Sequence, residues 1–308
     1  MSNSIIPMSF EEGHFGYFIH KRKLTKGLTL HGHSRGANRT GLIIPELKLY
    51  LDAGVQNGMK ADYVFLTHGH SDHCHGLNMI MADFDLSKDK EKHEVNVLAP
   101  EEIVKFLKDD LNSFYAVTRA KYEEREQPIE GVKGGDKKVI KLNNRNYLVE
   151  VFKCDHSVPT VGFGLSEERP KLKKEYLGLK GKEIKELKDK GIEITETIYV
   201  PLFVFLGDTT TKVLDDYPQI VKYPNVIIEC NFYEEEHIET AIFKQHVHWK
   251  FLKPHVVANS DTKFILIHFS LQYKMENILK FFQEENLKNV HVWENNHKLL
   301  TAYKSLSI

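Results

Sequence analysis

"FLTHGHSDHCHG", residues 65–76, places four histidines, an aspartate and a cysteine within eight positions. It continues the apolar run "DYVFLT" (62–67), which reads as a buried strand. Zinc is held by imidazole nitrogen and carboxylate oxygen, and a catalytic site keeps one coordination position open. His68, His70, Asp72 and His73 are too tightly spaced to meet at one ion from a straight strand. A loop turning at Gly69 delivers one pair to one metal and the next pair to a second. Two metals about 3.5–4 Å apart form the clamp that hydrolyses phosphate esters. The rival reading is a polar loop with coincidental histidines, and the residues downstream weigh against it.

Three further apolar runs end in a candidate ligand: His156 after "VEVFKCD", Asp208 after "LFVFLG" and His268 after "KFILI". A strand end fixes a side chain while leaving one side open to substrate. Taken singly, an Asp after Gly is an ordinary turn and a lone His is ordinary packing. Three such endings beside "HGHSDH" are hard to ascribe to chance. Cys74, Cys154 and Cys230 are widely spaced and form no Cys-x-x-Cys pair, so neither a thiolate zinc site nor a disulfide framework is expected. Cys74 and His75 lie close by but are not expected to be ligands.

The chain has 308 residues, 41% hydrophobic and 28% charged, enough for one large domain spanning 1–308 with a real core. Its formal net charge of −1 gives no global pull toward nucleic acid, so any such pull is local. No run approaches the roughly 18 apolar residues of a membrane span, and the first residues lack a secretory pattern. No membrane partner is expected. The cytoplasm is the default compartment, or the nucleus in a eukaryotic cell.

Strand-like runs recur as "FGYFIH", "TGLIIP", "LKLYLD", "DYVFLT", "EVNVLAP", "YLVEVFKC", "IYVPLFVFLGD", "NVIIECNF", "KFILIHF" and "NVHVWE". Helical patterns start near Pro100 and Tyr273, and Pro100 and Pro254 mark helix starts or breaks. Stacked sheets with helices outside follow from this order. No internal repeat is legible. Residues 166–196 stand apart as a charged segment, poor in core residues, between "TVGFGL" and "IYVPLFVFLGD"; they read as a protruding basic arm inserted in the domain. Between 169 and 190 nine basic residues, Lys171, Lys173, Lys174, Lys180, Lys182 and Lys185 among them, face four acidic ones. Such a surplus supplies the phosphate attraction that nucleic-acid binding needs. The plainer reading is a solvated helix with i,i+4 Lys/Glu pairs.

The motif His-x-His-x-Asp-His followed by Gly76 resembles that of the metallo-β-lactamase superfamily. Within it the chain is similar to the short-form ribonuclease Z family, the tRNA 3′-processing endoribonucleases. "LDAG" with Asp52, "HSVPTVGFGL", "FLGDTT", "LIHFSLQY" and the arm "KLKKEYLGLKGKEIKELKDKGIEIT" carry the resemblance. It implies an α/β fold, an αββα sandwich with two zinc ions per chain at one edge. His68, His70 and His156 would hold the first zinc, and Asp72, His73 and His268 the second, with Asp208 bridging. Asp72 would also accept the proton of the attacking water. Glu229 and His246 would pass a proton to the leaving group, with His248 a competitor for the second role. The arm would bind precursor tRNA, presented across a homodimer. Gln272 stands where the family carries Arg, and His248 where it carries Thr. Two other functions compete: a small-molecule or cyclic-nucleotide phosphodiesterase on the same fold, and a non-catalytic RNA-binding protein.

Overall fold

The computed structural model describes residues 20–56, 58–82, 94–118, 124 and 126–295. The run "FGYFIH" lies outside them except for His20, where the first strand opens. Fourteen strands form two seven-stranded sheets among these residues, each ordered as the chain runs. The first sheet holds β1 (His20–Lys23), β2 (Thr29–Arg35), β3 (Arg39–Ile44), β4 (Leu49–Leu51), β5 (Tyr63–Phe65), β6 (Asn96–Pro100) and β7 (Ile129–Val132). The second holds β8 (Lys137–Leu142), β9 (Arg145–Cys154), β10 (Thr160–Leu172), β11 (Thr195–Phe205), β12 (Asn225–Glu229), β13 (Lys263–Ile267) and β14 (Val290–Val292). Both sheets follow one plan: three antiparallel pairings, then three parallel ones. This repeat is a property of the backbone pairing, and it left no trace in the sequence.

Successive side chains on a strand face opposite ways, and the central strands bury both faces, which is why they read as unbroken apolar runs. Phe65 and Phe205 point between the sheets, where Phe65 stacks on Phe163 with ring centroids 4.8 Å apart. Their neighbours Val64, Leu66, Val204 and Leu206 point outward under the helices. Helices α1 (Ser71–Cys74), α2 (Leu77–Ala82) and α3 (Val104–Thr118) cover the first sheet through Leu77, Ile80, Leu111 and Tyr115. Helices α5 (Lys212–Asp216), α6 (Ile238–Lys244), α7 (Trp249–Ala258) and α8 (Met275–Glu285) cover the second through Leu214, Ala241, Leu252 and Phe282. The architecture is thus αββα, with a core between the sheets and one beneath each helical layer. No helix among the described residues is long and apolar enough to cross a membrane.

Several elements depart from the sequence reading. Strand β2 was hidden because the residues on its buried face include Gly32 and Ser34 beside Leu30. Strands β7 and β8 are short, and β8 exposes Lys137, Val139 and Lys141 while Ile140 and Leu142 are buried. Pro254 lies inside α7 and does not begin or end it. The strand pattern does not break at Ser166: β10 continues to Leu172, and Ser166 and Glu167 are buried. Beyond Glu167, β10 pairs only with β11, from Glu168↔Tyr199 to Leu172↔Thr195. This two-stranded ribbon leads to α4 (Gly181–Asp189), none of whose residues is buried.

Candidate metal centre

The apolar strands end on one edge of the sandwich, and the side chains that follow them converge there. His68, His70, His156 and Asp208 each offer one donor atom within 4.8 Å of the others, and so do Asp72, His73 and His268. Asp208 lies between the two groups. Its Oδ1 is 3.4 Å from both His73 Nε2 and His268 Nδ1, while its Oδ2 is 3.9 Å from His68 Nε2 and from His156 Nε2. One carboxylate therefore addresses both histidine sets.

The backbone that carries these groups is sharply bent. Asp52 and His268 follow strands β4 and β13 and adopt φ of 59° and 58°, in the left-handed region that costs an ordinary residue strain. Gly207, before Asp208, has φ of 62°, and a Cβ there would lie 2.6 Å from Thr67 Oγ1. Gly54 admits the histidine loop, since a Cβ at that position would sit 1.8 Å from Asp72 O.

Behind the donors, a layer of partners sets the ring orientations. Asp52 Oδ1 accepts from the Thr67 backbone N–H at 2.7 Å, and its Oδ2 accepts from His73 Nδ1 at 2.7 Å. That leaves His73 Nε2 directed at Asp208. His156 Nδ1 donates to Gln245 O at 3.1 Å, which turns His156 Nε2 inward. Carboxylate and carbonyl partners of this kind fix the tautomer of a ligating histidine. Two buried atoms, His68 Nε2 and Asp208 Oδ1, have no hydrogen-bond partner. A buried polar atom without a partner costs free energy, and a cation between the sets removes that cost. The nitrogen and oxygen donors fit two divalent metal ions.

The electrostatics point the same way. Burial and the neighbouring His73 hold His68 well below its ordinary value, so its ring is a neutral donor. Burial opposes ionisation of Asp208, but His268 and His73 outweigh it and hold its carboxyl well below the usual range. For these two groups those are the states that metal ligands require, whereas at His73 burial is outweighed by Asp208 and Asp52, which lift the ring well above its ordinary value. Asp72, like Asp208, is held low, burial being overcome by His268 and His73.

Beside Asp208 lies a second device. Glu229, fully buried at the end of β12, accepts from Thr209 N at 2.8 Å and from His246 Nδ1 at 2.8 Å. Burial pulls the His246 ring toward neutrality, yet the Glu229 carboxylate more than reverses this and lifts it to about 9. Burial in turn raises Glu229 above the usual carboxylate range, though His246 opposes this. His246 Nδ1 is 4.0 Å from Asp208 Oδ2.

The sequence matches the metallo-β-lactamase superfamily over residues 38–141. The tRNase Z TRZ1 of Arabidopsis thaliana is 30% identical over 259 residues, covering 82% of this chain and 89% of that protein. The chain belongs to the ribonuclease Z family. Among solved structures, the human short-form tRNase Z superposes with a TM-score of 0.52 at 14% identity, covering 85% of this chain and 94% of that one. Yeast PDE1 superposes with a TM-score of 0.53 at 11% identity, covering 91% and 96%. At such identities these two share the fold alone.

All seven residues expected as ribonuclease Z ligands meet at this edge, and Glu229 and His246 stand beside them. His248 does not: its Nε2 donates to Glu234 O and its Nδ1 accepts from Lys250 N, which caps α7. Cys74 and His75 bond Gly69 O and Ser71 O within their own loop. Gln272 is exposed, while Arg35 reaches the carbonyl of the adjacent Tyr273. Of the six arm lysines, Lys171, Lys174, Lys180, Lys182 and Lys185 are exposed. Lys173 is half-buried and donates to Glu193 O at 2.7 Å. The supporting partners Thr67 and Gln245 were not legible in the sequence. Gln245 acts through a backbone carbonyl, which no side-chain motif encodes. Asp52 had a signal, an acidic residue closing an apolar strand.

Proposed function

We propose that this chain is a two-zinc endoribonuclease that removes 3′ trailers from precursor tRNA and leaves a 3′-hydroxyl. The observation that carries the reading is the Glu229–His246 pair set against a carboxylate shared by two histidine sets. His68, His70 and His156 would hold one zinc, Asp72, His73 and His268 the other, and Asp208 both. Bound there, such ions lower the pKa of water toward neutrality and offset charge gathering on the phosphate.

The chain's own groups do the rest. Asp72 Oδ accepts the proton released by the attacking water. His246 donates from Nε2 to the departing 3′-oxygen, because Nδ1 is occupied by Glu229. Glu229 keeps that ring oriented and charged. The ribbon and α4 act as a basic arm, with Lys171, Lys174, Lys180, Lys182 and Lys185 placed for backbone phosphates and Lys173 serving the arm's own shape. Folded RNA is recognised largely through backbone and shape, which suits an exosite remote from the cut. We place the working protein as a homodimer in the cytoplasm or nucleus.

The test compares cleavage of a 3′-extended pre-tRNA with hydrolysis of bis-p-nitrophenyl phosphate by the purified protein. Trimming of the trailer with a much higher kcat/KM for RNA supports the reading. Hydrolysis of the small diester alone makes the protein a small phosphodiesterase, and RNA binding without either activity makes it a non-catalytic binder.

A further inference from the structure

The ribbon that carries α4 leaves the second sheet at a junction with unusual side chains. Strand β10 is paired with β9 as far as Glu167↔Tyr147 and beyond that only with β11. Strand β9 itself runs two residues further, to Arg145, still paired there with Leu142 of β8. A register shift precedes the junction: β11 inserts one extra residue, Leu202, between Leu165↔Phe203 and Ser166↔Pro201. A bulge of this kind bends the strand and sharpens its twist. A two-stranded ribbon is marginal by itself, and α4 buries none of its residues. The direction of the ribbon is therefore set at its base.

At that base, side chains take over from the backbone ladder. Glu167 is buried, and it accepts from Arg145 Nη1 at 3.1 Å and from Arg169 Nε at 2.6 Å. A carboxylate between two guanidinium groups makes hydrogen bonds of the stronger, charge-assisted kind. Glu168 accepts from Asn146 Nδ2 at 3.1 Å and from the Tyr199 hydroxyl at 3.4 Å. Successive residues of a strand face opposite ways, so one bridge lies on each face of the ribbon. Each ties the free end of β9 to the ribbon, through Arg169 of β10 on one face and Tyr199 of β11 on the other. Together they resist tilting toward either face. The first bridge also occupies Arg169, one of the nine basic residues between 169 and 190.

We propose that Glu167 and Glu168 are positioning residues that fix the direction of the arm, so that RNA held on its lysines brings the scissile phosphate to the metal edge. This rests on the ribonuclease reading above and gives two carboxylates a part in it that their charge alone opposes. Negative groups beside an RNA-binding surface repel phosphate. Removing them would help the reaction if charge were all they contributed.

The experiment compares Glu167→Ala/Glu168→Ala with Glu167→Gln/Glu168→Gln. Both pairs remove the same two charges, but glutamine keeps an accepting oxygen at the same reach. Single-turnover cleavage of pre-tRNA with protein in excess separates the maximal rate from the half-saturating concentration. The Ala pair should lower the maximal rate about 10–100-fold, the loss that misplacement of a bound substrate brings. Its half-saturating concentration and salt slope should stay near native, since the lysines of the arm remain. The Gln pair should recover most of the rate. Hydrolysis of bis-p-nitrophenyl phosphate and metal content should be native in both. Glu168→Ala alone, which leaves the Glu167 bridge standing, should show a weaker form of the same pattern and decides the matter if the double variant does not fold. Equal rates in the Ala and Gln pairs, or native or faster cleavage by the Ala variants, overturn the positioning role while leaving the ribonuclease reading intact. A native protein that hydrolyses the small diester but not pre-tRNA overturns both.

Discussion

One nitrogen of His246 is already committed to Glu229, so only Nε2 can serve a departing oxygen. Replacing His246 by Ala should cut the single-turnover cleavage rate by about 10²–10⁴-fold, with zinc content unchanged by metal analysis. His248→Ala should keep the rate and lose about 1 kcal/mol of stability, because His248 caps α7. The reverse pattern would mean that the two histidines exchange roles. A different residue governs behaviour in acid. Burial, aided by Arg39 and Arg35, lowers His33 to about 4. In the unfolded chain a histidine takes its proton near 6.5. Between these values the unfolded state binds more protons, so stability falls as pH drops through the window. Thermal scans of His33→Gln from pH 7 to 4 should therefore show a shallower decline in Tm than the native protein. At this scale the candidate ligands were legible because their side chains are their chemistry. Gln245 and Thr67 were not, since their contributions depend on where the fold puts a carbonyl or a hydroxyl.

Among the elements, strands with apolar residues on both faces declared themselves. Strand β2 did not, because Gly32 and Ser34 fill buried positions with little apolar surface. The α4 segment stood out in the sequence by its charge, but the boundary expected at Ser166 falls inside β10, whose pairing with β9 ends after Glu167 and whose pairing with β11 runs on to Leu172. Deleting residues 170–192 and bridging with a short Gly-Ser linker removes exposed lysines and none of the metal-edge residues. Hydrolysis of bis-p-nitrophenyl phosphate should survive, while pre-tRNA binding weakens. The slope of log K against log salt should flatten by about one unit for each phosphate no longer held by a lysine. An unchanged slope with lower small-substrate activity would make the segment structural.

For the molecule as a whole, each ligand set draws on both sheets. His68 and His70 follow a strand of the first sheet and His156 and Asp208 strands of the second; Asp72 and His73 likewise face His268. Metal bound there stabilises the joined sandwich and not either sheet alone. A chelator should lower Tm, and restoring zinc to about 100 times its Kd should return about 2.7 kcal/mol. In Asp72→Ala cleavage should vanish and the zinc-dependent rise in Tm should shrink, with circular dichroism unchanged. Full activity in that variant would refute the two-metal reading.

The consecutive order of the strands also makes the covalent chain unusually easy to interrupt. All strands of the first sheet end by Val132 and those of the second begin at Lys137, so among the described residues the turn 133–136 is the sole passage between them. Fragments 1–133 and 135–308, made separately, should each hold zinc poorly, since each carries half of both ligand sets. Mixed, they should reassemble as a heterodimer whose zinc uptake and diester hydrolysis rise together with fragment concentration.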